Sequence, residues 1–599
     1  SPLALAIAET HHKKTLKRRS GLLGALSITA LQAAAADPTG STIVFSDDPF
    51  NPVVPTNANV YDIPNTSGVN IFNDFVVGTA DTVNLDVPSG NTSLVNIVKD
   101  SKPQVYGVLN SYLTNGGGAK TGLGGHIYFV SPYGFMVGAS GIVNVGALTV
   151  RTPVAGDMND IISGTKAVTA DLTVANTGLV TIDGKINSAG EIDIQGYQVD
   201  VNSTAALIAG NALNADYVNY PTAAVNTGDF TAPDALVADG GTIKLVATGS
   251  LSGDTGATVA GALLADGGIT IEAATINLTS TSQLDTQNTD TAVTRGDVTL
   301  TATQSDEIGF GFAAATTSIT LDGDITANNI SAVAESAATS SLYEDPELMT
   351  DMFLAGKYAG IAAYVMQADA RSSVTVGGAA NLQATGDIAL NSASRALTES
   401  GAKSINAAKV GFGVVYNSSN ATATSSINTG ATLNASGTLS VTAHNEAKIA
   451  ASAFTLVTTG DNDAVAALAI GESDVDAQAI IESGANLTAG NVVLSAENQN
   501  HYSVAASATS LDKAKYGIAV AIGDFNTDAL ASLGASVGTS ADKTGNVTIT
   551  AIDRTVHQQV KSSVTVGAGA VARAVKSKIS TKAANQAAIQ DMTGQEFDS

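Results

Sequence analysis

The chain is expected to be all-β, a right-handed parallel β-helix with one short helical insertion, and three observations point there. Short runs of alternating apolar and polar residues recur along it, small and β-branched residues dominate its apolar complement, and similar runs return at fixed spacings. Hydrophobic residues reach 44% of the 599 positions while aromatics stop at 5% and charged residues at 14%, with 59 Gly, 13 Pro, no Trp and no Cys. Such residues suit stacked pleated layers, where a bulky ring would not fit every rung. A disordered chain would carry more charge and fewer aliphatics. A chain of this length can also bury its core by stacking units that touch only their neighbours, so stability without disulfides is expected even in an oxidising compartment.

The first element is a leader. Lys13, Lys14, Lys17, Arg18 and Arg19 precede an apolar run over residues 21–31, and Gln32-Ala33-Ala34-Ala35-Ala36-Asp37 follows it. A charged region, an apolar region and small residues in that order predict a secretory signal peptide over residues 1–36, cleaved near residues 34–36. The apolar run is well short of the roughly 20 residues that a membrane-spanning helix needs. Overall, 54 acids against 28 bases leave a net charge of −26, a surface that repels phosphate backbones and makes nucleic acid an unexpected partner. The chain begins without Met and stops at Glu596-Phe597-Asp598-Ser599 in mid-texture, so a fragment of something longer is expected.

From about residue 180 the period-2 runs become regular. Val180-Thr181-Ile182, Ile192-Asp193-Ile194, Ile243-Lys244-Leu245, Ile269-Thr270-Ile271 and Val298-Thr299-Leu300 are the clearest. The steps from Ile243 to Ile269 and on to Val298 are 26 and 29 residues, one coil each, and the 51 residues from Ile192 to Ile243 read as two. Further on, Ala380-Asn381-Leu382, Ala431-Thr432-Leu433, Ala485-Asn486-Leu487 and Ala535-Ser536-Val537 recur at steps of 51, 54 and 50. Each follows a strand of glycine or small residues, such as Gly411-Phe412-Gly413-Val414, and precedes another run, such as Leu439-Ser440-Val441. This unit is read as two coils, which predicts roughly 20 to 23 coils and a rod on the order of 100 Å at the strand spacing of about 4.8 Å. A propeller blade has a similar period, but tight two-residue hairpin signals are sparse. The helical insertion is placed at residues 344–353, where Asp345 caps and Pro346 opens a turn.

Residues of about 40 to 155 carry motifs in a specific order: Asn70-Ile71-Phe72-Asn73-Asp74-Phe75, Val95-Asn96-Ile97-Val98, Ser101-Lys102-Pro103-Gln104-Val105, Gly107-Val108-Leu109-Asn110, Ser131-Pro132-Tyr133-Gly134-Phe135, and Ile142-Val143-Asn144-Val145-Gly146. In that order the region resembles the haemagglutination-activity domain of filamentous haemagglutinin-like, two-partner secretion exoproteins. The family reads Asn-Pro-Asn-Gly-Ile where this chain has Ser131-Pro132-Tyr133-Gly134-Phe135, so both asparagines are replaced. The downstream repeats resemble those of leukotoxin-like filamentous adhesins. By this resemblance Asn70, Phe72, Phe75, Pro103, Gly107, Ser131, Pro132, Gly134, Asn144 and Gly146 form the secretion motif. An outer-membrane transporter would be the export partner, taking the segment in extended form by strand addition. Read from their own chemistry, Pro132 and Gly134 fit a sharp corner; two readings stand, corner residues alone or corner residues that also order the recognised segment. The resemblance divides the chain into a leader, a secretion-type β-helix domain over 37–290, adhesin repeats over 291–575 and an end segment over 576–599.

Motifs that would carry other chemistry point elsewhere. Asn115-Gly116-Gly117-Gly118-Ala119-Lys120-Thr121 has Ala119 where a phosphate loop needs Gly, and reads as a surface loop. His126, His444, His501 and His557 lack metal-ligand partners at i+4. The acid pairs Asp461 and Asp463, Asp474 and Asp476, Asp524 and Asp528 lack the paired glycines of a calcium-binding repeat, and Arg295-Gly296-Asp297 reads as a turn entering a strand. No enzyme, metal or cofactor is expected. The expected function is a secreted adhesin of the Gram-negative cell surface, reaching it through the periplasm and binding a host or neighbouring-cell ligand. Two alternatives are the stalk of a contact-dependent growth-inhibition toxin and a β-helical polysaccharide lyase or hydrolase, which would need acids and bases converging on one face.

Overall fold

A computed structural model describes residues 37–589 apart from 66, 116–117, 211–239, 250–255, 287–294, 343–360, 407–409, 458–463, 511–515, 539–544, 566–570 and 575–577. The predicted leader, Asp461 and Asp463, and the predicted helical insertion at 344–353 lie outside the described residues. Thr39–Ser599 forms one compact unit.

Strand register defines the architecture. Leu179–Ile182, Lys185–Ser188 and Ile192–Gly196 make one turn of chain, and each pairs in parallel with its counterpart a turn later, Gln198–Val201, Ala206–Ala209 and Thr242–Ala247. The same three columns continue through the chain. The described chain is a parallel β-helix.

In its third column, twelve successive parallel pairings link thirteen strands, from Val69–Val77 to Val547–Thr565. At about 4.8 Å per step the stack rises about 60 Å, roughly half the expected rod. The reason is the length of a coil. Ile192 pairs directly with Ile243, so those 51 residues are one coil carrying the segment 211–239, and the repeat of about 50 residues is likewise one coil. Ile361–Val376, Asn381–Ala384 and Ile388–Asn406 pair with Val410–Ile427, with 432–435 and with 439–457. The runs read as two coils are the three sides of one, two of them drawn out to 16–26 residues. Among the described residues, antiparallel strand pairing is confined to the first coils, where Thr42–Phe45 lies along 72–76 and Val108–Thr114 turns back onto Lys120–Leu123.

Two cores result. The first runs the length of the described helix and is filled by one inward row per strand, from Phe72 and Leu85 through Ile194 and Ile271 to Leu494 and Leu533. The second lies between the drawn-out ends of the first and third columns and is mostly alanine, with Tyr364, Met366, Tyr502 and Phe525 as its bulky members. Between the cores runs a buried polar seam: Ser372 and Ser336 both bond Ser394, Thr398 bonds Ser419, Ser400 donates to Asn417, and Asn445 donates to Asn498 at 3.1 Å. Most of these small hydroxyls and amides find a partner and so avoid the cost of an unmade buried hydrogen bond, whereas Thr317 Oγ1 and Asn445 Oδ1 are buried without one.

The helix in the described residues is α1, Ala155–Ile162, which is elsewhere than expected. Its Met158 is buried with Ile97 and Val130, and Ile161 and Ile162 pack there beside Ile71 and Val95. The helix therefore covers apolar positions on the outer face of the first coils. Among the described residues no helix is long and apolar enough to cross a membrane.

Candidate functional site

The secretion-motif residues come from five separate stretches, and the helix brings them onto consecutive coils. Phe72 and Phe75 are fully buried. They form the middle of a ring stack that runs Phe45, Phe72, Phe75, Phe129, Phe135, with centroids 4.7, 5.2, 5.4 and 5.2 Å apart and tilted planes, the offset geometry that ring quadrupoles favour.

Asn144 belongs to a second stack. Asn187 Nδ2 donates to Asn144 Oδ1 at 2.9 Å, Asn144 Nδ2 to Asn110 Oδ1 at 2.9 Å, Asn110 Nδ2 to Asn84 Oδ1 at 3.1 Å, and Asn84 Nδ2 to the Asp62 carboxylate at 2.9 Å. Their strands stack in register, coil on coil, so each amide uses one donor downward and one acceptor upward. At its upper end Asn187 Oδ1 is buried without a partner. At its lower end Asp62 bonds Lys120, which also reaches Asp86 at 3.7 Å. Burial pushes the Asp62 carboxyl up, but hydrogen bonds from Lys120, Asn84 and Thr56 and the Lys120 charge outweigh it and hold the group below its ordinary value. Asp86 goes the other way: burial, with the Asp62 charge, raises it against the pull of Lys120. Asn70 begins a shorter ladder, donating to Asn96 Oδ1 at 2.9 Å.

The remaining candidates shape corners. Ser131 Oγ donates to the Ser101 carbonyl at 2.9 Å, and the Pro132 carbonyl accepts from Thr177 Oγ1 at 2.7 Å. Gly134 has φ +103°, and a Cβ there would run into the Leu179 carbonyl of the next coil. Gly107 sits equally tightly against the Gly78 and Asp81 carbonyls, and Gly146 against Gly125. The Pro103 carbonyl accepts from Met136 N–H at 2.9 Å. All ten are buried except Gly146, which is half-buried. Tyr133, between Pro132 and Gly134, is the exposed member of that corner.

Asn84, Asn110, Asn187, Phe129, Phe135, Asp62 and Lys120 complete these stacks without having been chosen as site residues. The signal was present: asparagine flanked by aliphatics in strand after strand, in a residue type that strands otherwise avoid.

The other motifs are engaged locally. Lys120 of the glycine-rich stretch closes a hairpin loop, with Asn115 N–H donating to the Ala119 carbonyl at 2.9 Å. Asp297 accepts from Asn328 and Asn329 Nδ2 at 2.9 Å. Asp474 accepts from Asn526 at 3.0 Å and Asp476 from Gln478 at 2.7 Å. His126 Nε2 lies 2.7 Å from Thr149 Oγ1 and its ring stacks on Tyr128. No cluster of three or more His, Cys, Asp or Glu that could hold a metal occurs among the described residues.

No family model and no curated relative matches the chain. Among solved structures it is similar to the crystal structure of the HMW1 secretion domain from Haemophilus influenzae, at 13% identity and a TM-score of 0.34, over 78% of this chain and 95% of that one. The fold described above rests on the chain's own strand register.

Proposed function

We propose that residues 37–290 are the export domain of a two-partner secretion exoprotein and that the coils of 291–575 are the stalk of a surface adhesin, outside a Gram-negative cell reached through the periplasm. The observation that supports this reading most is the assembly of the ordered motifs. Six stretches within residues 70–146 become neighbouring rungs: a phenylalanine stack joins 70–75 to 131–135, an asparagine ladder joins 107–110 to 142–146, Asn70 donates to Asn96, and the Ser101 carbonyl accepts from Ser131. Their burial has a consequence for recognition. A partner that reads Phe72, Asn144 or Pro132 directly meets them before the helix closes, so an outer-membrane transporter would take the segment extended, through its backbone edges. Folding outside the cell then hides the same residues. No cofactor enters this reading, and the partner at the far end is a host or neighbouring-cell ligand.

The test is secretion of the 599-residue chain with and without a matching outer-membrane transporter, scored as medium against periplasm. Transporter-dependent release is expected, abolished or strongly reduced by Phe72→Asp and Gly134→Ala. Release indifferent to the transporter would sink the proposal.

A further inference from the structure

The outer face of the first column carries an apolar surface that the export reading does not use. Ile361, Phe412, Ala466 and Ile518 pair in register across four coils and all point outward. Two positions along the same strands, so do Ala363, Val414, Leu468 and Val520, and then Val365, Tyr416, Ile470 and Ile522. Val410 and Tyr516 extend the face toward the strand starts, and Phe312 flanks it on the preceding coil. Tyr516 is 58% exposed, Ile361 57% and Val410 52%. Among the described residues between 300 and 540, most exposed large hydrophobics therefore fall on this one face. Three rows of four positions and one row of three, on four strands, cover about 500 Å², at the upper end of what a monomer leaves open and near the roughly 600 Å² per partner of the smallest specific interfaces.

The border of this face is asymmetric. Along the strands, the next outward positions on the last two coils are Glu472 and Asp524, then Asp474 beside Asn526, then Asp476 beside Asp528; on the two coils before them they are Gln367, Asp369 and Arg371, and Ser418, Asn420 and Thr422, so the border is acidic in sum. Tyr416 marks the boundary by donating to Glu472 at 2.5 Å.

We propose that this face is the contact between two copies of the chain, packed sheet to sheet with their strands antiparallel and their stacks running the same way. The area argues for a copy-to-copy contact of modest affinity. The charge argues for the orientation: a two-fold axis along the stacking direction sends the two net-acidic borders to opposite ends, whereas an axis along the strands would bring both to the same end, where like net charge opposes the contact. The inference is independent of the export reading, since it concerns the folded coils alone.

The chain has no cysteine, which makes the arrangement directly readable. Sedimentation of the 599-residue chain should show a monomer–dimer equilibrium with a Kd in the micromolar range. Phe412→Lys combined with Ile518→Lys should leave monomer throughout, with an unchanged circular dichroism spectrum and urea midpoint. In the dimer, Val414→Cys lies near the axis and should cross-link to itself through a short bismaleimide, at least tenfold faster than Thr422→Cys, whose copies would stand about 50 Å apart. Three results would overturn the proposal: monomer up to about 100 µM, a dimer that survives the double substitution, or equal cross-linking at the two sites. Dimerisation appearing only after residues 344–359 are deleted would also overturn it, assigning the face to the chain's own segment.

Discussion

At the residue scale, the first coils depend on groups that have one acceptable neighbour above and one below. Asn144 is the clearest case, because its amide is donor to Asn110 and acceptor for Asn187. Asn144→Ala leaves two buried polar groups unsatisfied, at about 1–3 kcal/mol each. Asn144→Asp should cost more at neutral pH, since a carboxylate cannot donate to Asn110 and is itself buried. Urea unfolding followed by hydrogen exchange of the first coils checks that order; an Asp variant as stable as the Ala variant would mean that the ladder's donor does not matter. The Lys120 cluster adds a pH dependence whose sign follows from its two carboxyls. Asp62, held low, contributes stability that is complete above its unfolded value near about 4 and is lost as pH falls through the folded value. Asp86, held high, contributes stability below that range which is lost as pH rises. The native first coils should therefore keep or slightly gain stability from pH 7 to about 4 and weaken below it. Lys120→Met removes the cation that both carboxyls share, so the variant should be weakest at pH 7 and recover on acidification. Urea midpoints from pH 3 to 7 measure this, and a variant that tracks the native curve would make Lys120 a bystander.

At the element scale, what distinguishes the late coils is the drawn-out strand, and there the sequence is hardest to read. Strand periodicity alone revealed the fold class and most inward positions of the first core, because aliphatics at alternate positions have few other uses. It failed on coil length. Gly471-Glu472-Ser473-Asp474 looks like a turn, yet it lies inside the strand Ala464–Ile481, whereas Ser436-Gly437 does mark a corner, where the register shifts between Ala435 and Thr438. The facing sheet is so close that the inward side takes Gly471 and Ser473, while the solvent side takes Glu472 and Asp474. The residues of a thin sandwich thus imitate the residues of a corner. Helix α1 was missed for the opposite reason. Pro153, the acidic Asp157 and apolar residues at 158, 161 and 162 do form a helical signal, but eight residues among loops stand out only once Ile71 and Val95 are known to need cover. Of the candidate site, the motif residues were legible and the stacks were not, since the ladder does not exist until register sets residues 22 to 43 apart side by side, nor the ring stack until Phe75 meets Phe129. The thinness of the second core is itself testable. Ala447→Leu, facing inward there, should cost about 1–3 kcal/mol through overpacking, whereas Ile481→Val in the first core should cost only about 0.5–1.5 kcal/mol. A tolerated Ala447→Leu would show that the two sheets can part.

At the scale of the whole molecule, stacking makes the chain close to one-dimensional: each coil bonds the coil below and the coil above, and almost nothing else. Stability is then near to a sum of coil terms and nearest-neighbour terms, and the two ends have different materials to sum. The first coils hold a phenylalanine-filled core closed by an antiparallel strand, with a helix on their outer face; the late coils add a thin, alanine-lined core to the one that runs through all of them. Nothing in the register couples them except the coils between. Urea should therefore unfold the chain in more than one step, with Asn144→Ala moving the step that belongs to the first coils and Ala447→Leu the step that belongs to the late ones. Combined, the two should add within about 0.5 kcal/mol, as substitutions without shared partners do. Segment-resolved hydrogen exchange across a urea series separates the steps. A single transition displaced by both substitutions would require cooperativity to pass through all the coils between residues 144 and 447, and the one-dimensional account would then give way to a molecule that folds as one unit.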